Sequence, residues 1–483
     1  MMYDFLSRSR LRCLGAGLVL LFCLLARPLS LAAAPVPLRG VVEGFYGRPW
    51  SAAERLDIIR FCGEQGFNAY IYAPKDDPYH RAQWREPYPE KKRKELAALV
   101  QASRAAGVKF IFALSPGLDA RFTPLRGAMD REMLREKLDA MYDIGVRDFA
   151  VFFDDIEDLS GRDQAELLAW LDANFVKPHG DIGPLLTVPT EYFRQKMAAA
   201  NGGPTPYTRE FAAGLPKDAI VLYTGEGVVK GGLTAAELDS ANRLYGRRLG
   251  LWWNYPVNDY MEEKLALGPV EKLPGDVPAA FFNPMSRPLL SQISLATAAD
   301  WARDPAGYNP DAAWYQAIAA QYGELAPAME RFAAESQRLE NNWAAIGPPD
   351  GARLRAAIDD LWRAWPAGET ADACWQKVHD EVMALEQAAH TLREKLPGNL
   401  RRECRPQLVR LKRLTAADQT ALALLQSHRA GDAKQTKRLL ARLEKQVAKL
   451  QKTEKKARIA ETSAQAFLTE TLAYVRGESP ATP

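Results

Sequence analysis

Cysteine and histidine are scarce in this chain, with five of each among 483 residues. The histidines are scattered, and no Cys/His grouping has the spacing of a zinc ligand set, so no metal and no cofactor is expected. Cys13 and Cys23 fall in the N-terminal segment; of the rest, Cys62 lies on an apolar helix face as an inert core residue, while Cys374 and Cys404 are a candidate disulfide pair in an oxidising compartment. Net charge is also nearly absent. Sixty-three basic and 60 acidic residues give +3, which argues against a general positive field for nucleic acid. The apolar run from Leu14 to Ala26 is shorter than the ~20 residues a spanning helix needs. Arg8, Arg10 and Arg12 precede it, and Ser30 and Ala32 to Ala34 follow. This order reads as a signal peptide over residues 1–34, in competition with an uncleaved anchor, and implies an exported protein, periplasmic or secreted, with no stable membrane insertion after cleavage.

From Val36 to about Arg303 short apolar runs alternate with amphipathic stretches, the pattern of a parallel sheet covered by helices. Eight strands are expected: Leu38 to Glu43, Ala69 to Tyr72, Phe110 to Leu114, Phe149 to Phe153, Leu185 to Val188, Ile220 to Tyr223, Gly250 to Trp253 and Ala280 to Phe282. Helical segments lie between them, the first opened by the capping box Ser51-Ala-Ala-Glu54. Eight such units match a (β/α)8 TIM barrel over residues 35–303 better than an open doubly wound sheet. Beyond it, Leu439, Leu440, Leu443, Val447 and Leu450 recur at helical spacing, and an all-α helical bundle is expected over 304–476, with a disordered tail at 477–483. The basic stretch Lys434 to Arg458 reads as a solvated helix face in preference to a site for an acidic polymer, and Trp343, Trp362, Trp365 and Trp375 as core in preference to a carbohydrate platform. The bundle offers a surface for a homodimer.

A barrel demands reactive side chains at the carboxyl ends of its strands. Asp154 and Asp155 follow the fourth strand, where unpartnered carboxylates would cost several kcal/mol to desolvate. Adjacent strand residues point to opposite faces, so both serve one site only if the backbone turns there. Two carboxylates so close should not both ionise freely, leaving one proton held near neutral pH. A pair of this kind suits a substrate that brings its own 2-acetamido nucleophile and needs an acid and a group to position the amide. A divalent-metal site with Glu157 and Asp158, or a helix N-terminal charge cluster, stays open on the same residues.

Taken together, Gly40-Val-Val-Glu-Gly-Phe-Tyr-Gly-Arg-Pro-Trp50, Tyr72-Ala-Pro-Lys-Asp-Asp77 with His80-Arg81, Phe153-Asp-Asp-Ile156, Pro189-Thr-Glu-Tyr192 and Asn254 to Asp259 resemble glycoside hydrolase family 84. These are retaining β-N-acetylglucosaminidases, protein O-GlcNAc hydrolases and enzymes called hyaluronidases. The resemblance implies that Asp154 binds the acetamido N–H, that Asp155 is general acid and then base, and that Tyr192 touches the acetamido oxygen. It implies further that the Gly44 carbonyl, Lys75, Asn254, Asp259 and Asn283 hold hydroxyls or the amide while Trp252 walls the pocket. The implied partner is an N-acetylglucosamine-bearing glycan or glycoprotein. A binding protein without turnover and an endo-acting hydrolase of an acidic polysaccharide are the competing readings. Tyr223 and Trp253 stand where the family pattern has Trp and Asp, departures expected to reshape the acetamido pocket or leaving-group side.

Overall fold

The computed structural model describes residues 34–157, 160–366, 368 and 371–478. The expected signal segment, apart from Ala34, and residues 479–483 of the expected tail lie outside it, as does Asp158. Eight parallel strands close into a barrel: β1 (Leu38–Glu43), β2 (Ala69–Tyr72), β3 (Lys109–Leu114), β4 (Asp148–Phe152), β5 (Leu186–Val188), β6 (Ile220–Tyr223), β7 (Gly250–Trp253) and β8 (Ala279–Phe282). The register Leu38↔Ala279 and Gly40↔Phe281 joins β8 back to β1. Closure brings backbones so near that a Cβ on Gly40 would lie 1.8 Å from the Ala69 carbonyl oxygen. Side chains alternate: Val42, Ile71, Ala113, Phe152 and Trp252 fill the interior, while their neighbours in sequence pack outward under the helices.

Helices α1 (Ala52–Gln65), α2 (Glu90–Ala105), α3 (Pro124–Asp143), α4 (Gly161–Leu171), α5 (Pro206–Gly214), α6 (Ala235–Tyr245) and α7 (Pro288–Arg303) cover the barrel. The expected capping box is present, with Ser51 accepting from the Glu54 N–H and Glu54 from the Ser51 N–H. Beyond come α8 (Pro310–Tyr322), α9 (Ala326–Ala334), the two-stranded β9 (Leu339–Glu340) and β10 (Ala345–Ile346), α10 (Ala352–Ala364), α11 (Ala371–Lys395), α12 (Gly398–Arg429), α13 (Ala433–Gln451) and α14 (Ala466–Val475). On α13 the apolar stripe Leu439, Leu443 and Leu450 is buried and the cations face outward. No helix among the described residues is long and apolar enough to cross a membrane.

The candidate cysteine pair is not joined. Cys62, Cys374 and Cys404 are all free thiols. Antiparallel packing is the reason: the Trp375 indole donates to the Leu422 carbonyl, so Cys374 sits beside the far end of α12 from Cys404. At 1.5 Å per residue that separation is about 27 Å, well beyond disulfide reach.

At the carboxyl end of β1, Glu43 is fully buried and accepts from Arg55 Nε and Nη2, both at 2.8 Å, from the Trp50 N–H at 3.1 Å and from the Tyr70 hydroxyl. Arg55, itself 2 % exposed, ties α1 to the strand end and so sets the first loop of the catalytic face. Removing one member of a buried pair strands the other charge. Arg55→Met should destabilise the protein by about 3–5 kcal/mol, and Glu43→Gln/Arg55→Met should recover part of that loss, as read from urea unfolding midpoints.

Candidate active site

β4 ends in a backbone reversal. Phe152 and Phe153 are still paired, with the Phe153 N–H donating to Val188 O at 2.8 Å and Thr190 Oγ1 donating to Phe153 O at 2.9 Å. Two residues on, Asp155 takes φ 54°, a left-handed conformation that costs a non-glycine residue about 1–2 kcal/mol. This is the turn the strand argument required. It brings both Asp154 and Asp155 into the lining of one cavity of about 250 Å³.

The two carboxylates have different surroundings. Asp154 is buried, and its Oδ2 meets Lys75 Nζ, which comes from the end of β2 and is itself buried. The Lys75 ammonium pairs with Asp154 and not with the nearer-in-sequence Asp76, Asp77 or Glu43. Asp154 Oδ1 is buried without a hydrogen-bond partner among the described residues. Asp155 lies open to the cavity, and its two oxygens accept from the Tyr46 and Tyr192 hydroxyls, each at 2.8 Å. Arg81 braces this arrangement by donating to Tyr46 Oη at 2.9 Å and to the Asp155 carbonyl at 3.0 Å.

Burial pushes the Asp155 carboxyl up, but the Lys75 charge, the two phenol hydrogen bonds and the Arg81 charge outweigh it and hold the group below the usual carboxylate range. The Lys75 cation set against Asp154 thus works against a proton held on Asp155. Burial, then the Asp155 charge, raises the Tyr46 and Tyr192 phenols, so both remain donors. His80 is no base: its Nδ1 donates to Ala113 O at 2.8 Å, and burial with the Lys75 charge lowers it to about 3.

The opposite wall is a hydrogen-bonded chain. Trp252 Nε1 and Asn283 Nδ2 both donate to Asn254 Oδ1, at 2.8 and 3.0 Å, and Asn254 Nδ2 donates to Val228 O at 2.8 Å. The Gly44 N–H donates to Asn283 Oδ1 at 3.3 Å, and a Cβ on Gly44 would lie 2.3 Å from the Trp252 ring. Asp259 accepts the Tyr46 N–H at 2.8 Å, and burial raises its carboxyl. All nine residues singled out in the sequence, Gly44, Lys75, Asp154, Asp155, Tyr192, Trp252, Asn254, Asp259 and Asn283, line this cavity. Tyr223 and Trp253 do not. They are buried in the layer outside the barrel, so the two departures from the family pattern lie behind the wall, not in it.

Tyr46 and Trp343 are among the lining residues that the sequence reading did not place at the site. Tyr46 was inside the strand-end motif after β1 and legible by the same rule as Lys75. Trp343, expected in the core, is 53 % exposed on the β9–β10 hairpin and packs on Tyr260 at 4.9 Å between ring centroids, at the cavity rim. Nothing in the sequence joins it to the barrel. Trp365 does lie in the core, and Trp362 and Trp375 are half-buried against it.

A family model described as beta-N-acetylglucosaminidase matches residues 39–334, more than half the chain. The chain belongs to this family, glycoside hydrolase family 84. A second model, described as hyaluronidase post-catalytic domain-like, matches residues 353–468. The mouse (Mus musculus) and rat (Rattus norvegicus) proteins named Protein O-GlcNAcase are each 32 % identical over 273 residues, covering 54 % of this chain and 29 % of theirs. The chain thus spans less than a third of those relatives' length. Among solved structures, CpGH84B superposes with a TM-score of 0.86 at 36 % identity, covering 91 % of this chain and 77 % of that one. The Thermobaculum terrenum O-GlcNAc hydrolase gives 0.81 at 27 % identity, covering 90 % and 94 %. The family's barrel and helical trailer are therefore present together here.

The environment of Asp155 makes a direct prediction. A phenol donor stabilises the carboxylate, so Tyr46→Phe or Tyr192→Phe should raise the Asp155 pKa, followed as an upward shift of its carboxyl carbon titration by NMR; an unchanged midpoint in both variants would remove the phenols as its cause.

Proposed function

We propose that the protein is a retaining β-N-acetylglucosaminidase that removes terminal β-linked N-acetylglucosamine from glycans or glycosylated protein by substrate assistance. The observation that carries this reading is the division between the two aspartates. Asp154 has a buried, unpartnered oxygen on the cavity wall and an ammonium holding the other, which suits an acceptor for an acetamido N–H. Asp155 stands open beside it with two phenols as its side-chain hydrogen-bond partners among the described residues, which suits a group that exchanges a proton with a leaving oxygen.

The acetamido carbonyl oxygen attacks C1, the C1–O bond to the aglycone breaks, and Asp155 delivers its proton to the departing oxygen. The product of this step is a bicyclic oxazoline whose nitrogen is steadied by Asp154. Water then attacks C1, giving its proton to Asp155 as the ring reopens, and the second inversion restores the β configuration. A sugar filling the cavity excludes water from Asp155 and raises its carboxyl, so the acid is loaded on binding. A cavity of about 250 Å³ suits one sugar ring, which favours exo action. The names of the mammalian and Thermobaculum relatives support O-GlcNAc-modified protein as one substrate class. Residues 1–34 support export, tested by the N-terminal sequence of the mature protein in extracytoplasmic fractions.

Aryl N-acetyl-β-glucosaminides of graded leaving-group acidity test the roles. Asp155→Ala should slow poor leaving groups by roughly 10²–10⁴-fold and activated ones far less. Equal losses across the series would sink the acid assignment. Gly44→Ala should displace the Trp252 ring and raise KM with little change in the unfolding midpoint, measured on the same substrates.

A further inference from the structure

Charge is unevenly distributed over this nearly neutral chain. Residues 393–458, which include α12 and α13, hold 19 Lys and Arg against 6 Asp and Glu, a net of +13, so the remaining residues stand at −10. Two of those six acids do not offset the cations at the surface. Asp418 is fully buried and burial raises its carboxyl well above the usual range, and Glu403, half-buried, is pushed up to about 7. Among the 19 cations, Arg410 is buried against Leu450 O and Gln465, while Arg429 pairs with Asp372 and Arg458 with Glu263 and Glu461. The other 16 have no carboxylate within 4.0 Å among the described residues. Elsewhere the surface is laced with pairs one helical turn apart, such as Lys94 with Glu90 and Arg135 with Glu132 and Asp139. Solvation explains why the α13 cations face outward, but not why one face has so few acids to meet them.

Four of these cations converge. Arg393 at the end of α11 and Arg401, Arg402 and Arg405 in the first turns of α12 line a concavity of about 450 Å³, and Arg401 Nη1 donates to the Arg393 carbonyl at 2.9 Å, drawing the two helix ends together. Guanidinium forks donate to carboxylate and sulfate oxygens in two-point contacts. Across α12, Glu403 accepts the N–H groups of Leu289 and Leu290 at 3.3 and 2.9 Å. This fastens the arginines beside the start of α7, just past β8, at the same end of the barrel as the aspartates.

We propose that the α12–α13 face is a docking surface for a polyanionic glycan, with the four-arginine concavity seating its acidic groups. No large apolar side chain is exposed among the described residues of 393–458, so the face has nothing to insert into a bilayer or to stack against bases. The choice of a glycan over other polyanions rests on the sugar-cavity reading above; the electrostatic case does not.

The test uses the full chain with a heparin oligosaccharide and, as a carboxylate-only polymer, polygalacturonate. Binding of either at low salt, lost as salt screens it and weakened on the order of tenfold in R393Q/R401Q/R402Q/R405Q, is the expected result. The barrel variant K91Q/R93Q/K94Q/K217Q, with as many cations removed, should bind as the parent does. Thermal melts and hydrolysis of an aryl N-acetylglucosaminide, both expected unchanged in the arginine variant, separate docking from folding and from the cavity. Binding to neither glycan, or equal binding by the arginine variant, overturns the proposal. Capture by phosphatidylglycerol vesicles without glycan binding overturns it in favour of a membrane surface.

Discussion

Everything in the catalytic cavity depends on one backbone constraint: successive side chains of a strand diverge, so two adjacent aspartates share a site only where the chain turns between strand and loop. The left-handed Asp155 supplies that turn. Its cost is met by contacts from three other loops: Arg81 on its carbonyl, and Tyr46 and Tyr192 on its carboxylate. These come from the loops after β1, β2 and β5, so the strained residue is positioned by the barrel as a whole and not by its own strand.

Charge placement then makes the two aspartates unequal. Lys75 answers Asp154 in a buried contact, where removing either partner would leave an uncompensated charge. Asp155 accepts from two phenols, feels the Lys75 and Arg81 charges from further off, and keeps access to the cavity. The difference follows from which strand end supplies which partner, a long-range matter. On a larger scale the same separation appears between the chain's acidic remainder and the basic α12–α13 face, which the total of +3 conceals.

The barrel was largely legible because its signals are local. The strands Leu38–Glu43, Ala69–Tyr72, Ile220–Tyr223 and Gly250–Trp253 have the bounds their apolar runs suggest, and the other four differ by a residue at their ends. The strand-end rule reached Lys75, Tyr192 and Asn254 without knowledge of distances, since in a parallel barrel every carboxyl end faces the same way. It would have reached Tyr46 as well. Tyr223 and Trp253, the departures from the family pattern expected to reshape the pocket, are sent outward by the alternation of faces.

By itself the sequence determined the period of the elements, the end of the barrel where chemistry gathers and the presence of two carboxylates there, because these follow from neighbours along the chain. Only the tertiary structure decided that Lys75 serves Asp154, that Asp155 is held between two phenols, that Trp343 closes the rim from a hairpin far along the chain, and that Cys374 and Cys404 sit at opposite ends of a helical pair. Each of those is a contact or a separation between segments remote in sequence, set by how helices and strands pack, and no periodicity encodes it.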